Sequence, residues 1–180
     1  MSFVEKKLDE QIVYEGKIFN VYHGRVSLPN GNIAFRDRIE HHGGAGILPL
    51  DEEGNIYLVK QYRYGVDKEL LEIPAGKLEP GEDPQETVVR ELQEEVGFLP
   101  QKVTSLGGME LSPAYLGEIT YLYLGQDLLP SKAALDEDEF LEVIKMPFQE
   151  AFQWVLSGKI TDGKTQNAIL KSAILLGLSK

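Results

Sequence analysis

The first half of the chain alternates short apolar runs with polar turns, which predicts β-strands. The runs QIVYEG, IFNVYHGRVSL and NIAFRDRIEH are rich in β-branched and aromatic residues, and the second and third flank PNG at residues 29–31. Asn-Gly is a strong signal for a tight turn between two strands. The apolar runs GAGILPL and NIYLVKQYRY follow, separated by a turn at residues 51–54. We therefore predict a long N-terminal hairpin followed by two central strands of a sheet.

After LLEIPAG the hydrophobic period lengthens to that of an amphipathic helix. The apolar residues that recur at this spacing are Val88, Val89, Leu92 and Val96. Asp83 is a suitable N-cap, Pro84 suits the first helical position, and Glu86 lies three residues after Asp83 as in a capping box. Gly97 is expected to end the helix in the left-handed conformation.

The remaining elements complete a single layered arrangement. KVTSLGGMEL, EITYLYLGQ and FLEVIKMPF are strand-like, DLLPSKAALDEDE is a polar loop, and FQEAFQWVLSG and KTQNAILKSAILLGL have helical periods. Strands flanked by helices indicate one layered unit that contains both strands and helices. We predict an N-terminal antiparallel β lobe over residues 1–42 and the main domain over residues 43–180.

Composition excludes several classes of protein. The chain has 180 residues, a formal net charge of −11 and no cysteine. The negative charge disfavours binding to nucleic acid or to anionic membranes, and the lack of cysteine excludes disulfides and thiolate metal sites. Neither a signal peptide nor a membrane-spanning apolar run is evident. We therefore expect a cytoplasmic protein.

The predicted helix carries an unusual density of carboxylates. Glu91 and Glu95 lie about 40° apart around a helix, with Glu94 nearby, so three carboxylates are expected beside the apolar stripe. Like charges at this spacing destabilise an isolated helix. One interpretation is a solvated acidic face. The other is a site for Mg²⁺ or Mn²⁺, because these cations prefer oxygen ligands and the segment offers no His or Cys.

The wider pattern favours the metal site. Gly76 is followed after five residues by Glu82, and seven residues later comes RELQEEVG, residues 90–97. With seven fixed positions, chance agreement at a given start is on the order of 10⁻⁸. The segment resembles the signature of the Nudix hydrolases, which cut within the diphosphate of a nucleoside diphosphate linked to another group. The resemblance implies the Nudix fold, an α+β fold arranged as an α/β/α sandwich with a mixed central sheet between helices.

The resemblance also implies roles for individual residues. Glu91 and Glu95 are expected to bind Mg²⁺, with Mn²⁺ as an alternative. Glu94 is expected to be a further ligand or to orient water. Ala75 is expected to bind the cation through its carbonyl oxygen. Arg90 is placed to pair with these carboxylates and to orient them. The alternative for Arg90 is a surface ion pair. Glu82 is expected to be a supporting residue.

A second acidic segment, ALDEDEFLEV, resembles a loop of the ADP-ribose pyrophosphatases that supplies a catalytic base or an added metal ligand. By position, Glu139 is the first candidate, with Asp138 and Glu137 as alternatives. A plain solvated loop is the other interpretation of this charge run.

Positions outside the signature resemble the same branch of the family. Pro113 lies sixteen residues after Gly97 (113 − 97 = 16), a spacing that marks the ADP-ribose pyrophosphatases. Around it, Ser112 and Glu118 match a substrate-binding segment, whereas Ala114 replaces the usual glycine. This replacement puts the conformation of the loop in question.

The resemblance implies that further residues bind the substrate. Arg63 corresponds to a residue that contacts the diphosphate, and Arg36 to one contributed by the partner subunit of a homodimer that exchanges its N-terminal lobes. Lys77 belongs to the expected substrate-binding set. Phe19 is a candidate for stacking on adenine, as is Tyr22, although strand aromatics more often pack in a core or an interface.

The resemblance therefore predicts an enzyme that hydrolyses ADP-ribose to AMP and ribose 5-phosphate with Mg²⁺. A hydrolase with a broader range of nucleoside diphosphate sugars or ADP compounds is the first alternative. A module that only binds ADP-ribose as a sensor is the second, although such modules typically lose carboxylates of the signature and this chain has all of them.

Overall fold

The computed structural model describes residues 2–135 and 139–178 of the chain. The strands in these ranges are β1 (Lys6–Glu15), β2 (Asn20–Ser27), β3 (Ile33–Glu40), β4 (Gly44–Pro49), β5 (Asn55–Arg63), β6 (Lys68–Glu72), β7 (Ala75–Lys77), β8 (Phe98–Glu110), β9 (Ile119–Pro130) and β10 (Leu141–Pro147). The helices are α1 (Pro84–Val96), α2 (Phe148–Leu156) and α3 (Gly163–Leu176), with a short 3₁₀ turn at Tyr64–Val66.

The chain divides into two compact units, and the first contains the N-terminal strands. This unit comprises the chain up to Gly43 together with Glu110–Ile119. Its sheet has the order β1-β2-β3 with both pairings antiparallel. The tight turn predicted at PNG joins β2 to β3, and Gly31 has the positive φ of 85° that such turns require. The long N-terminal hairpin is thus confirmed.

The second unit, Gly44–Met109 with the chain from Thr120 onward, contains two sheets. One is antiparallel with the order β10-β5-β6, and the other has the order β7-β4-β9-β8. In the latter β4 is parallel to β9 and antiparallel to β7, which makes the sheet mixed as predicted. The two strands predicted to be central, β4 and β5, each have a neighbour on both sides.

Several boundaries differ from the sequence prediction. The runs QIVYEG and KVTSLGGMEL predict strands that begin at residues 11 and 102, but β1 begins at Lys6 and β8 at Phe98. The pattern also predicts that residues 127–130 belong to the polar loop DLLPSKAALDEDE, but they form the end of β9. Leu128 is partly buried against the core next to α1, and this packing extends the strand. The segment 136–138 of that predicted loop lies outside the described residues.

Helix α1 begins and ends as its sequence predicts. The side chain of Asp83 accepts a hydrogen bond from the Gln85 N–H at 2.8 Å, and Gly97 ends the helix with φ 81°. Val88 and Leu92 are fully buried against strand β4 and Tyr123 of β9. The same packing takes Glu91 and Glu95 out of solvent.

Helices α2 and α3 cover the other core cluster. Its buried side chains include Leu48, Ile56, Leu58, Phe152 and Ile169. Among the helices of the described residues, none is long and apolar enough to span a membrane.

Candidate functional site

The carboxylate of Glu91 lies directly against the backbone of the strand that precedes α1. That strand, β7, pairs with β4 in the register Ala45 to Gly76. A Cβ atom built on Gly76 would stand 1.8 Å from Oε1 of Glu91, far inside van der Waals contact. A side chain at this position would displace the carboxylate of Glu91 from its place against β7, which gives a physical reason for glycine at the start of the motif.

Arg90 connects three carboxylates of the motif. Its Nη1 donates to Glu91 at 2.8 Å and to Glu94 at 3.1 Å, and its Nη2 lies 3.4 Å from Glu82. Burial alone would lower the pKa of Arg90, but the charges and hydrogen bonds of Glu91, Glu82 and Glu94 outweigh it and raise that pKa. Arg90 therefore stays charged and fixes the carboxylates around it.

Glu95 is the most deeply buried carboxylate of α1. Its side chain accepts a hydrogen bond from the Ala75 N–H at 3.2 Å, so it is oriented toward the strand that carries Gly76. Burial, together with the charge of Glu91, raises the pKa of Glu95 to about 8. The Ala75 N–H and the charge of Arg63 act in the opposite direction. A carboxylate in this environment is stabilised in its charged form by a cation.

Glu139 lies close enough to affect both buried carboxylates. Burial is the main cause of the raised pKa of Glu91, and the charge of Glu139 adds to it, as it does for Glu95. The predicted base is thus near the acidic face of α1. The two alternatives, Asp138 and Glu137, lie outside the described residues.

The donor set on α1 fits a hard divalent cation in its chemistry. Carboxylates crowd together beside a backbone strand, and two of them are buried with raised pKa values. Within the described residues, however, no group of three or more His, Cys, Asp or Glu side chains is arranged to hold a metal ion. Glu91 and Glu94 accept hydrogen bonds from Arg90, and Glu95 accepts one from the Ala75 N–H.

Arg63 is not a plain surface arginine. Its Nε and Nη2 donate to the two carboxylate oxygens of Glu72 at 2.7 and 2.8 Å, and Glu72 is only 1% exposed. Sequence reasoning missed Glu72, because its position in LLEIPAG gives no local sign of a partner nine residues away on another strand. Lys77 ends β7, opposite Gly44, with its side chain exposed.

In the first unit, four residues predicted to contact the substrate line one cleft of about 600 Å³. These residues are Tyr22, Arg36, Pro113 and Ala114. Arg25 and Arg38 also line the cleft, and Arg36 pairs with Glu5 at 2.6 Å. Phe19, Ser112 and Glu118 are not among its lining residues.

The remaining predicted residues of this unit have other neighbours. Phe19 lies just before β2 and is 39% exposed, and its ring lies 5.7 Å from that of Tyr14. The Ser112 carbonyl accepts hydrogen bonds from the N–H groups of the two residues after Ala114, at 3.1 and 2.9 Å. A carboxylate oxygen of Glu118 lies 3.8 Å from Nδ1 of His41.

The backbone at Ala114 explains how the loop accommodates this residue. Among the described residues, only Asp67 and Asp127 combine a side chain with a positive φ. Ala114 therefore adopts a conformation open to any L-amino acid, and its replacement of glycine causes no backbone strain.

Comparison with known proteins identifies the family of the chain. A family model described as NUDIX domain matches residues 40–166. The chain is 39% identical over 170 residues to an ADP-ribose pyrophosphatase of Bacillus subtilis (strain 168), covering 93% of this chain and 92% of the relative. It is 37% identical over 169 residues to a methanol dehydrogenase activator of Bacillus methanolicus, covering 93% and 91%.

A solved structure supports the fold. A crystal structure described as an ADP compounds hydrolase superposes with a TM-score of 0.84 at 22% identity, covering 97% of this chain and 96% of the other. The chain belongs to the Nudix family, and the family resemblance seen in the sequence is confirmed.

Proposed function

We propose that this protein hydrolyses the diphosphate of ADP-ribose, adding one water to give AMP and ribose 5-phosphate. The observation that carries the proposal is the complete carboxylate set of α1, in which Arg90 pairs with Glu91 and Glu94 and the Ala75 N–H binds Glu95. The substrate is suggested by the ADP-ribose pyrophosphatase of Bacillus subtilis, which is similar over nearly the whole chain.

The helix would form the metal-binding face of the site. Glu91, Glu95, Glu94 and the carbonyl of Ala75 would hold Mg²⁺, with Mn²⁺ as the alternative. Such a cation neutralises phosphoryl oxygens and lowers the pKa of water. Arg90 orients the carboxylates. Glu139 would accept the proton of the attacking water, a role that its nearness to Glu91 and Glu95 supports.

In the second unit, Arg63 and Lys77 are the candidates for binding the diphosphate. Arg63 suits a diphosphate oxygen because a guanidinium offers several fixed donors. Lys77, at the end of β7, would add a second positive charge. Arg36, Pro113 and Ala114 share one cleft, and we propose that this cleft, with Ser112, Glu118 and Phe19, contacts the nucleoside part.

The first unit would also form a homodimer by exchange between subunits. Its three-stranded sheet leaves large apolar side chains exposed, more than a separate small unit needs. They include Val13, Tyr14, Ile33 and Phe35. In such a dimer Arg36 would reach the partner's site. A cytoplasmic location remains a prediction from composition.

A broader substrate range is the second candidate. The chain is 33% identical over 155 residues to a GDP-mannose pyrophosphatase of Yersinia enterocolitica, covering 81% of this chain and 80% of that relative. Related sequences thus accept different nucleoside diphosphates. A sensor without catalysis is less well supported, because Glu91, Glu94 and Glu95 are all present.

The deciding experiment is a turnover panel. Purified protein with Mg²⁺ or Mn²⁺ is offered ADP-ribose, ADP-glucose, GDP-mannose and NADH, and nucleoside monophosphate release is measured. We expect the highest kcat/KM for ADP-ribose. Efficient cleavage of the other compounds without AMP release from ADP-ribose would favour the second candidate, and no turnover of any would favour the sensor.

A further inference from the structure

Arg63 and Glu72 form an ion pair along one face of the β5-β6 ladder. In the antiparallel register Arg63 is opposite Lys68, and Glu72 is opposite Val59, four residues before Arg63. Residues two apart on a strand share a face, so Arg63 and Glu72 lie on the same side of the sheet. The arginine side chain extends back along this face to reach the buried carboxylate.

The pairing leaves one end of the guanidinium available. Glu72 accepts from Nε and Nη2 and thereby engages one edge of the plane. Nη1 is directed away from that edge, and the Arg63 side chain is 43% exposed. Two parallel hydrogen bonds fix the plane of the group, whereas an unpaired arginine samples many rotamers.

The carboxylate of Glu72 is in turn fixed by the start of α3. Lys164 donates a hydrogen bond to the same oxygen of Glu72 that pairs with Nη2 of Arg63. Lys164 also donates to Asp162 at 3.0 Å, and Asp162 caps α3 by accepting from the Thr165 N–H at 2.9 Å. The positions of Glu72 and Lys164 are thus set by the helix terminus.

The same helix terminus is tied to the strand next to the metal-binding face. The hydroxyl of Thr165 accepts a hydrogen bond from the Ile73 N–H at 2.8 Å. Ile73 is two residues before Ala75, whose N–H binds Glu95. The charges of Arg63 and Glu95 interact as well, since each shifts the pKa of the other. Arg63 is therefore held next to the acidic face of α1.

Stability alone is a weak reason for this arrangement. Taking a carboxylate and its partners out of water costs free energy that the ion pair only partly recovers, and apolar residues of similar size often serve as well. A network of this kind does, however, give a defined orientation to a group at its edge.

We propose that Glu72 and Lys164 are positioning residues that orient Arg63 toward the diphosphate of the substrate. The inference rests on the proposed function, because it assigns the available end of Arg63 to a diphosphate oxygen. Glu72 and Lys164 act through Arg63 and do not touch the substrate.

A double-mutant cycle tests this dependence. KM and kcat for ADP-ribose with Mg²⁺, and the Kd for inorganic pyrophosphate by calorimetry, are measured for wild type, Glu72→Gln, Arg63→Ala and the double variant. We expect Glu72→Gln to raise KM and the pyrophosphate Kd about tenfold with kcat within about twofold, as for loss of uniform binding. In the Arg63→Ala background the same change is expected to have no further effect.

If Glu72→Gln does not fold, the same cycle is measured with Lys164→Met in its place. Lys164→Arg keeps the positive charge and is expected to have the wild-type KM. The matched control is Lys60→Met, which removes an exposed ion pair with Glu69 between the same two strands. We expect it to leave KM unchanged. Unfolding temperatures are recorded for every variant, since a purely structural role would move these and leave KM alone.

Two outcomes would overturn the proposal. Equal effects of Glu72→Gln with and without Arg63 would show that Glu72 does not act through Arg63, and unchanged KM and Kd would show that the arginine needs no support. If wild type does not hydrolyse ADP-ribose, the proposed function fails, while the pyrophosphate cycle still decides the positioning role. Wild type that binds neither ligand overturns both.

Discussion

The carboxylate of Glu91 occupies the space where a side chain on Gly76 would begin, with Oε1 1.8 Å from the Cβ position. A strand residue and a helix residue fifteen positions apart are thereby made mutually dependent. A single methyl group on Gly76 can therefore displace the carboxylate of Glu91 from the acidic face.

Replacing Gly76 with alanine is expected to force Glu91 away from β7. The side chain can shift, so the chain should still fold, with a loss of about 1–3 kcal/mol in the free energy of unfolding. Hydrolysis is expected to fall by about 100-fold or more, because the carboxylates lose their arrangement. Activity and denaturant unfolding are the measurements.

The matched control is Gly163→Ala, where an added Cβ has no neighbour within 4 Å. We expect it to leave activity unchanged and not to lower the free energy of unfolding. Near-normal activity in Gly76→Ala would contradict the role assigned to the contact between Gly76 and Glu91.

Glu95 is expected to make the metal-free protein less stable as the pH rises. Burial holds its folded pKa at about 8, above its ordinary value of 4.5. Between pH values of about 4.5 and 8, Glu95 keeps a proton in the folded state that it has lost in the unfolded state. Its contribution to the free energy of unfolding is therefore full below about pH 4.5 and is lost as the pH rises through about 8. The upper limit of this contribution to the free energy of unfolding is about 5 kcal/mol.

The check is the unfolding temperature of chelator-treated protein between pH 5 and 8.5. Glu95→Gln should flatten the decline and, with Mg²⁺ added, should also lack most of the wild-type kcat. A variant with the same pH dependence as wild type would show that another group titrates. Full activity would remove Glu95 from the metal-binding set.

Replacing Glu139 with glutamine should affect the chemical step more than binding. A general base contributes about 10²–10⁴-fold, so kcat is expected to fall within that range while KM stays near normal. Steady-state kinetics with ADP-ribose measure both. Glu142→Gln, an exposed change in the following strand β10, is the control. If Glu139→Gln has the kcat and KM of wild type, Glu139 is not the catalytic base, and Asp138 or Glu137 would be the candidate.

The proposed dimer can be tested at Phe35, which is 64% exposed in the first unit. Phe35→Asp places a charge in the expected interface and should convert a dimer to a monomer in sedimentation experiments, with reduced activity if Arg36 serves the partner's site. Ile174→Asp is the control, because Ile174 is 75% exposed on α3 in the second unit. A wild-type monomer, or a dimer unaffected by the change at Phe35, would contradict exchange of the lobe.

Local pattern alone determined the ends of α1 and its acidic face. Asp83 and Gly97 mark the ends of α1 by capping preferences that act within a few residues, and the apolar period of Val88 and Leu92 sets its buried face. The spacing of the signature likewise depends on one helix and the strand before it. Such features are predictable because their physical causes are near in the chain.

The tertiary structure decided what each charged side chain contacts. Arg63 pairs with Glu72 across two strands, and Lys164 reaches the same carboxylate from 92 residues away. At Ala114 only the folded backbone shows that glycine is not required. These outcomes depend on strand register and helix packing, which bring together residues whose sequence neighbourhoods carry no sign of one another.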